Sequence, residues 1–211
     1  MATSGVLLFA RGEASCNLLS EQFRQRAVSK TYIAEVFGSI SSEEFEIAVP
    51  LRADYINRPR QVVDEKEGKP SHTVGKVLCR RSKEGHASTV VALTPLTGRT
   101  HQLRLHMAHI GHAILGDDLY ASPLGLEAGR GRLHLHAHKL SFRHPFQADQ
   151  EYRVKASCPF YVAGDDDDNE GVVITSCIKR KLDENQQNED DEGSGECIEV
   201  AGEEVSRDPS S

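Results

Sequence analysis

The chain has 211 residues, a hydrophobic fraction of 38% and a net charge of −7 at pH 7. Its length fits one domain with an appendage. It has no apolar run of the roughly 18 residues that a membrane span needs. Its charge is uneven: residues 165–211 hold 16 acidic and 4 basic side chains, a net charge of −12, whereas residues 1–164 hold 21 basic and 16 acidic ones, a net charge of +5. The basic body suits a polyanionic partner, and the five scattered cysteines indicate neither a disulfide framework nor a zinc site.

Alternation of apolar and polar residues predicts most of the elements in chain order. Strands are predicted at residues 4–10, 30–37, 45–49, 71–79, 87–93, 133–142 and 152–156. A helix is predicted at residues 14–26, with Leu18, Leu19 and Phe23 on one face. Residues 57–69 are polar and rich in turn formers, and the charged residues 80–86 are predicted to join two antiparallel strands.

The clearest helix is predicted at residues 100–110. Thr100 is placed to cap it, Leu103, Met107 and Ile110 recur at helical spacing, and Gly111 is placed to end it. Several antiparallel strand pairs with two flanking helices predict an α+β protein built on a mixed, mostly antiparallel sheet.

An acidic segment low in aromatic residues forms the C-terminal part of the chain. Such a composition buries too little apolar surface to offset the entropy of ordering, so residues 164–211 are predicted to be a disordered tail beside a domain of residues 1–163. A short strand at residues 171–178 is a further expectation within this tail.

Residues 97–120 read TGRTHQLRLHMAHIGHAILGDDLY. His101 and Arg104 are three residues apart and so share a helix face near the helix N-terminus, where an anion or a carboxylate is favoured. Spacing alone is also compatible with an ordinary amphipathic helix that carries a solvated arginine. As a linear string, however, the block resembles the signature of the RluA-type pseudouridine synthases.

The resemblance extends from Met1 to about residue 160. Residues 1–10 resemble the strand that follows the family's catalytic Asp, and Lys30-Thr31-Tyr32 resembles its Lys-x-Tyr segment. Residues 57–60 (Asn-Arg-Pro-Arg) and 68–70 (Gly-Lys-Pro) resemble loops of the bacterial RluA branch, while the acidic tail has no counterpart. The implied fold is that of a pseudouridine synthase catalytic domain.

The resemblance also implies a chemistry and a set of residues. In the family an Asp carboxylate attacks the target nucleoside, the glycosidic bond breaks, and the uracil turns and is rejoined through C5, without a metal or cofactor. Arg104 matches the Arg that pairs with this Asp, and Tyr32 matches the Tyr that stacks on uracil and transfers a proton. Arg58, Arg60, Arg99 and His101 are the expected RNA-binding residues. The family's Asp would fall immediately before Met1, so residues 1–211 are expected to lack the nucleophile.

Two other motifs compete with this interpretation. Residues 109–112 spell His-Ile-Gly-His, the adenylate-binding signature of class I aminoacyl-tRNA synthetases, but they fall at the end of a predicted helix and no companion loop is present. His134, His136 and His138 would lie on one face of a strand, as metal ligands can, yet no Asp, Glu or Cys accompanies them at ligand spacing. A strand with polar residues on one face explains the three histidines better.

Three functions therefore stay open, in a fixed order of preference. The first is a pseudouridine synthase domain, truncated at its N-terminus, that acts on tRNA or rRNA without cofactors. The second is a non-catalytic RNA-binding or regulatory isoform, and the third is a metal-dependent hydrolase that uses the histidines. The expected state is a monomer without a membrane partner in a reducing, intracellular compartment, with cytoplasm, organelle and nucleus undistinguished.

Overall fold

A computed structural model of the chain describes residues 3–83, 85–147, 149–162 and 198–201. The strands among these residues are β1 Ser4–Gly5, β2 Leu7–Ala10, β3 Ser29–Phe37, β4 Glu44–Ala48, β5 Leu51–Ala53, β6 Gln61–Val63, β7 His72–Lys83, β8 His86–Pro95, β9 Leu135–Arg143, β10 Glu151–Lys155 and β11 Ile198–Ala201. The helices are α1 Glu13–Arg24, α2 Gln102–His109 and α3 Pro123–Ala128. Each helix in this part of the chain falls short of the length and apolar character that a membrane crossing requires.

The main sheet has seven strands. Their order is β1-β9-β3-β8-β7-β4, and β10 also pairs with β9. Only the β1–β9 pair is parallel, while the others in this sheet are antiparallel. The predicted α+β class with a mixed, mostly antiparallel sheet is therefore confirmed.

Helix α2 lies against the middle of this sheet. Its Leu103 and Met107 pack in one core cluster with apolar residues of β3 and β8, and Met107 is fully buried. Every residue from Gln102 to Met107 is buried, so α2 is enclosed on nearly all sides. The alternative of an ordinary amphipathic helix with a solvated arginine is therefore wrong, because Arg104 is only 8% exposed.

The start of α2 also differs from its prediction. The residue before the helix is His101, with φ +54°, and no side chain caps the helix there, so Thr100 is not the cap. The Gln102 side chain organises the turn instead: its carbonyl oxygen accepts hydrogen bonds from Thr97 Oγ1 at 2.7 Å and from the Arg99 amide at 3.0 Å. Gly111 does end the helix in the left-handed region, with φ +84°, as its position indicates.

Two segments that read as loops contain regular structure. Strands β5 and β6 pair across the segment expected to be a polar turn. Strands β7 and β8 continue past their predicted ends, because the backbone of Arg80 and Arg81 pairs with Thr89 and Ser88 although their side chains are charged. Helix α3 was not expected, but Ser122 followed by Pro123 is a recognisable start, and the Ser122 hydroxyl accepts a bond from the Gly125 amide.

The predicted first strand is divided in two. Gly5, with φ +105°, passes so close to the Ala137 carbonyl that a Cβ there would collide with it. Strand β1 pairs with β9, whereas Val6 and the β2 residues Leu8 and Ala10 pack in a second cluster with Leu19 of α1. On α1, Leu19 is buried, but Leu18 and Phe23 are each 42% exposed, so the predicted apolar face is narrower than expected.

A short part of the predicted tail lies among the described residues. Ile198–Ala201, which was expected to be disordered, forms strand β11 and pairs antiparallel with Leu7–Ala10. Backbone hydrogen bonding to an unpaired strand edge supplies a reason that composition does not reveal. The short strand expected at residues 171–178 lies outside the described residues.

Two fully enclosed histidines are held neutral. His106 Nε2 lies 2.7 Å from Ser71 Oγ, whose own proton is donated to the Val49 carbonyl, and His106 Nδ1 has no partner among the described residues. Burial, aided by neighbouring histidines, lowers the pKa of His106 to about 4. Burial also lowers the pKa of His138 to about 4, despite its hydrogen bond to the Ala156 carbonyl.

Acidification from about pH 7 to about pH 5 is expected to lower the free energy of unfolding by on the order of 1 kcal/mol for each of these histidines. In the unfolded chain they take up protons below their ordinary pKa of 6.5, whereas in the folded chain they stay neutral until about 4, so stability is lost as the pH falls through this window. Urea unfolding at both pH values measures the change.

The control is the double variant His106→Gln/His138→Asn. Each amide can keep the donated hydrogen bond of the histidine that it replaces, but neither titrates. The variant should lose less stability than the parent chain on acidification, and an equal loss would show that other groups are responsible.

Candidate active site

A cavity of about 280 Å³ opens between the start of β3 and the turn that leads into α2, and we call it the α2 cavity. Its polar lining consists of Thr3, Lys30, Tyr32, Thr97, Arg99, His101, Gln102 and Arg104. Its apolar lining consists of Pro95, Leu103, Leu133 and Leu135, and Gly98 also lines it. None of these described lining residues is acidic, so the wall presents mostly positive charge.

Arg104 is fixed by two carboxylates. Its Nε and Nη2 donate to the two oxygens of Asp117 at 2.8 and 2.6 Å, and Nη2 also donates to Asp118 at 2.9 Å. Although burial acts to lower the pKa of Arg104, the bonds to Asp117 and Asp118 raise it overall. Nη1 has no hydrogen-bond partner within the described part of the chain, so one donor nitrogen of this cavity-lining residue is left for another group.

Asp117 holds this arrangement in place. Its carboxylate is buried and, besides Arg104, accepts the backbone N–H groups of Leu119 and Tyr120 at 2.9 and 3.0 Å. The Leu-Gly-Asp run that contains Asp117 is part of the family-like block at residues 97–120, but the sequence predicted no role for Asp117. The available signal was the resemblance itself, which includes this run; spacing alone does not link residues 104 and 117.

His101 connects the cavity to Tyr120. His101 Nδ1 lies 3.1 Å from the Tyr120 hydroxyl, and the two rings meet edge to face with their centroids 5.9 Å apart. Burial and the charge of Arg104 lower the pKa of His101, so the imidazole is neutral at pH 7. The Tyr120 hydroxyl accepts the Gln61 N–H at 2.8 Å and can therefore donate its own proton to His101.

Tyr32 and Lys30 form the opposite wall. They are two residues apart on β3, so their side chains point to the same face of the sheet. Burial raises the pKa of Tyr32, which keeps its phenol protonated at neutral pH. Its hydroxyl has no hydrogen-bond partner among the described residues and is free to meet a ligand.

The four predicted RNA-binding residues divide into three places. Arg99 and His101 line the α2 cavity, and Arg99 also donates to the Pro70 carbonyl at 3.2 Å. Arg60 is not in the lining, and its guanidinium lies 5.9 Å from the centre of the Tyr120 ring. Arg58 does not reach the cavity and stacks on Tyr55 instead.

The histidines of β9 have other partners. His134 Nδ1 lies 3.1 Å from Glu35, His136 Nδ1 lies 2.9 Å from the Ser4 hydroxyl, and His138 bonds to the Ala156 carbonyl. Across the residues that the structure describes, no group of three His, Cys, Asp or Glu side chains could hold a metal ion. His109 ends α2 and Gly111 forms the following turn, so residues 109–112 do not stand at a helix N-terminus as the synthetase signature requires.

Comparison with known proteins places the chain in a family. A sequence model described as RNA pseudouridylate synthase matches residues 1–109. The dual-specificity RNA pseudouridine synthase RluA of Vibrio cholerae is 47% identical over 145 residues, and the enzyme of the same name from Yersinia pestis is 46% identical over 157. The chain belongs to the RluA-type pseudouridine synthase family. The alignment with the Yersinia pestis relative covers 74% of both chains.

The coverage of other relatives is smaller. This family member spans 57% of the Vibrio cholerae relative and 64% of the Pasteurella multocida one, which is less than two thirds of their length. Among solved structures, human RNA pseudouridylate synthase domain containing 1 is similar with a TM-score of 0.62 and 31% identity, over 71% of this chain and 62% of that one. Human RNA pseudouridylate synthase domain containing 4 shares the fold, with a TM-score of 0.55.

Replacement of Asp117 by Ala is expected to destabilise the fold by about 3 kcal/mol or more, because it leaves the buried Arg104 charge without its main partner. Asp118→Ala is the matched control. The Asp118 side chain is 48% exposed, so its loss should cost at most about 1 kcal/mol. Urea unfolding of both variants measures the difference, and equal losses would contradict a special role for Asp117.

Proposed function

We propose that this chain forms the catalytic domain of an enzyme that isomerises uridine to pseudouridine in structured RNA. The α2 cavity carries the proposal, because it brings Tyr32 and Arg104 together from distant parts of the sequence. Both residues match functional positions of the family, and the relatives from Vibrio cholerae and Yersinia pestis are named RNA pseudouridine synthases.

The geometry suits the family's reaction. In that reaction a carboxylate attacks the nucleoside, the glycosidic bond to N1 breaks, and the uracil turns so that C5 is rejoined to the ribose. The free Nη1 of Arg104 can bind the attacking carboxylate, keeping it ionised and aimed. The Tyr32 ring offers a flat surface for the uracil, and its protonated hydroxyl is available for proton transfer.

The nucleophile is proposed to enter from the segment that precedes Met1 in the family. Thr3 lines the cavity, and three residues of extended chain span at most about 10 Å. An Asp at the family's position would therefore stand at the cavity that holds Arg104. Because no described lining residue has a carboxylate, residues 1–211 alone are proposed to be inactive.

The proposed substrate is a uridine in a hairpin loop of tRNA or rRNA. The related enzymes carry the name dual-specificity, and the lining of the α2 cavity is cationic through Lys30, Arg99 and Arg104. A cavity of about 280 Å³ is small, which suits a single base turned out of a loop better than a stacked pair.

A second candidate is an RNA-binding protein without catalysis. The observation that favours it is the same lack of a carboxylate among the described lining residues. The two functions differ in one outcome: the second predicts RNA binding without pseudouridine under all conditions, even when the family's Asp is supplied.

The chain extended at its N-terminus by the family's segment that ends in the catalytic Asp is therefore expected to form pseudouridine, and the chain of residues 1–211 is not. Nucleophilic catalysis needs a group placed at the reacting carbon. Carbodiimide labelling of tRNA and rRNA after incubation detects the product. The control is the same extended chain with Asn in place of the added Asp. Pseudouridine formed by the unextended chain would overturn the proposed nucleophile.

In the extended chain, Arg104→Lys is expected to lower turnover by on the order of 100-fold or more, because an ammonium cannot bind Asp117 and the nucleophile in the same fork geometry. Tyr32→Phe should keep RNA affinity and lose turnover. Arg153→Lys, at an exposed residue of β10 that does not line the cavity, is the control and should retain parental turnover. Near-normal turnover of Arg104→Lys or Tyr32→Phe would remove that residue from the mechanism.

A further inference from the structure

Lys30 is a cation on the cavity wall to which the family chemistry above assigns no role. It lies on the same face of β3 as Tyr32 and faces the turn that carries Gly98 and Arg99. Its exposure is intermediate, so this part of the cavity wall is reachable from solvent. An ammonium there can contact the part of a nucleotide that stays outside the cavity when its base enters.

The charge of Lys30 is not compensated by the described protein. Burial lowers the pKa of Lys30, and no opposing charge acts on it. Among the described residues its ammonium has neither an ion-pair partner nor a hydrogen bond, and its recorded contact is the ring of Phe23, 5.6 Å away. A partly desolvated cation without an anion is unfavourable for folding. Binding of an anionic ligand would explain why Lys30 occupies this position.

The opposite side of the cavity leaves room for that ligand. Gly98 has no side chain, and a Cβ built there would stand 3.9 Å from Lys30 Nζ with nothing else nearby. Arg99 follows directly, and both residues line the cavity. Lys30 and Arg99 thus bring two positively charged side chains to the same cavity, and Gly98 adds no side chain there.

We propose that Lys30 binds the RNA phosphate adjacent to the uridine that enters the α2 cavity. A nucleotide turned out of its stack brings its flanking phosphates to the mouth of the pocket that takes its base. A lysine is suited to this task because its compact ammonium attracts a phosphate without demanding one geometry. Lys30 would thereby fix which nucleotide enters while Tyr32 meets the base, a role that rests on the proposed function.

The salt dependence of RNA binding tests this directly. A hairpin RNA with uridines in its loop is titrated into the full chain over a series of salt concentrations. Lys30→Gln should weaken binding at low salt and reduce the slope of log K against log salt by about 0.7 to 0.9, the effect of one lost phosphate contact. Lys30→Arg, which keeps the charge, should restore most of the slope.

Lys76→Gln is the matched control. Lys76 is an exposed residue of β7 that does not line the cavity, and the substitution removes the same charge. Its slope should equal that of the parent chain. An equal loss for both variants would show that only total charge matters and would overturn the assignment to Lys30.

Stability without RNA separates binding from a structural role. Lys30→Met removes a desolvated charge and keeps an apolar contact with Phe23, so this variant should unfold at the same temperature as the parent or a higher one. A clear decrease in Tm would show that Lys30 supports the fold, which contradicts the proposal.

Three further outcomes show which of the two, this proposal or the proposed function, fails. If the parent chain binds the hairpin and Lys30→Gln keeps the parental slope, the role of Lys30 fails and the proposed function stands. If the parent chain does not bind the hairpin, both fail. If, in the extended chain, Lys30→Gln lowers kcat at saturating RNA while the slope is unchanged, Lys30 holds the nucleophile instead and the phosphate role is overturned.

Discussion

The ion pair between Arg104 and Asp117 is the constraint on which the rest of the site depends. It joins α2 to the turn after it, because the Asp117 carboxylate accepts two Arg104 nitrogens and the amides of that turn. The turn positions Tyr120, whose hydroxyl meets His101 at the start of α2 and the backbone of Gln61. One buried carboxylate thereby sets the position of the guanidinium, the imidazole and the β5–β6 loop around a single cavity.

Arg104 and Lys30, two of the three cations that line the cavity, use their charge differently. Arg104 is buried but has its partners, so it is rigid and leaves one nitrogen in a defined place. Lys30 is partly desolvated and has no anion among the described residues, which fits the proposed contact with an RNA phosphate. An enzyme for RNA needs both, since the reacting groups must be held before the substrate binds whereas the polyanion must be attracted from solution.

The sequence predicted the parts of this molecule that local pattern determines. The alternation of apolar and polar residues predicted β3, and the family-like string at residues 97–120 predicted Arg104 and His101 as site residues. The role of Asp117 escaped prediction because its contact with Arg104 depends on how the chain turns back after α2, and the burial of α2 escaped because His106 and Arg104 look solvated in sequence. Strand β11 was missed for a similar reason, since its partner edge at Leu7–Ala10 is almost two hundred residues away.

The central claim is that a uridine of RNA enters the α2 cavity between Tyr32 and Arg104. Photo-crosslinking tests it most directly, with an RNA hairpin whose loop uridines are replaced by 4-thiouridine and with mass spectrometry to map the attached peptide. The account predicts crosslinks to the segment around Tyr32 and to the turn at Gly98–His101, which line the cavity. Crosslinks confined to the loop around Tyr55 and Arg58, with none at the cavity, would contradict it.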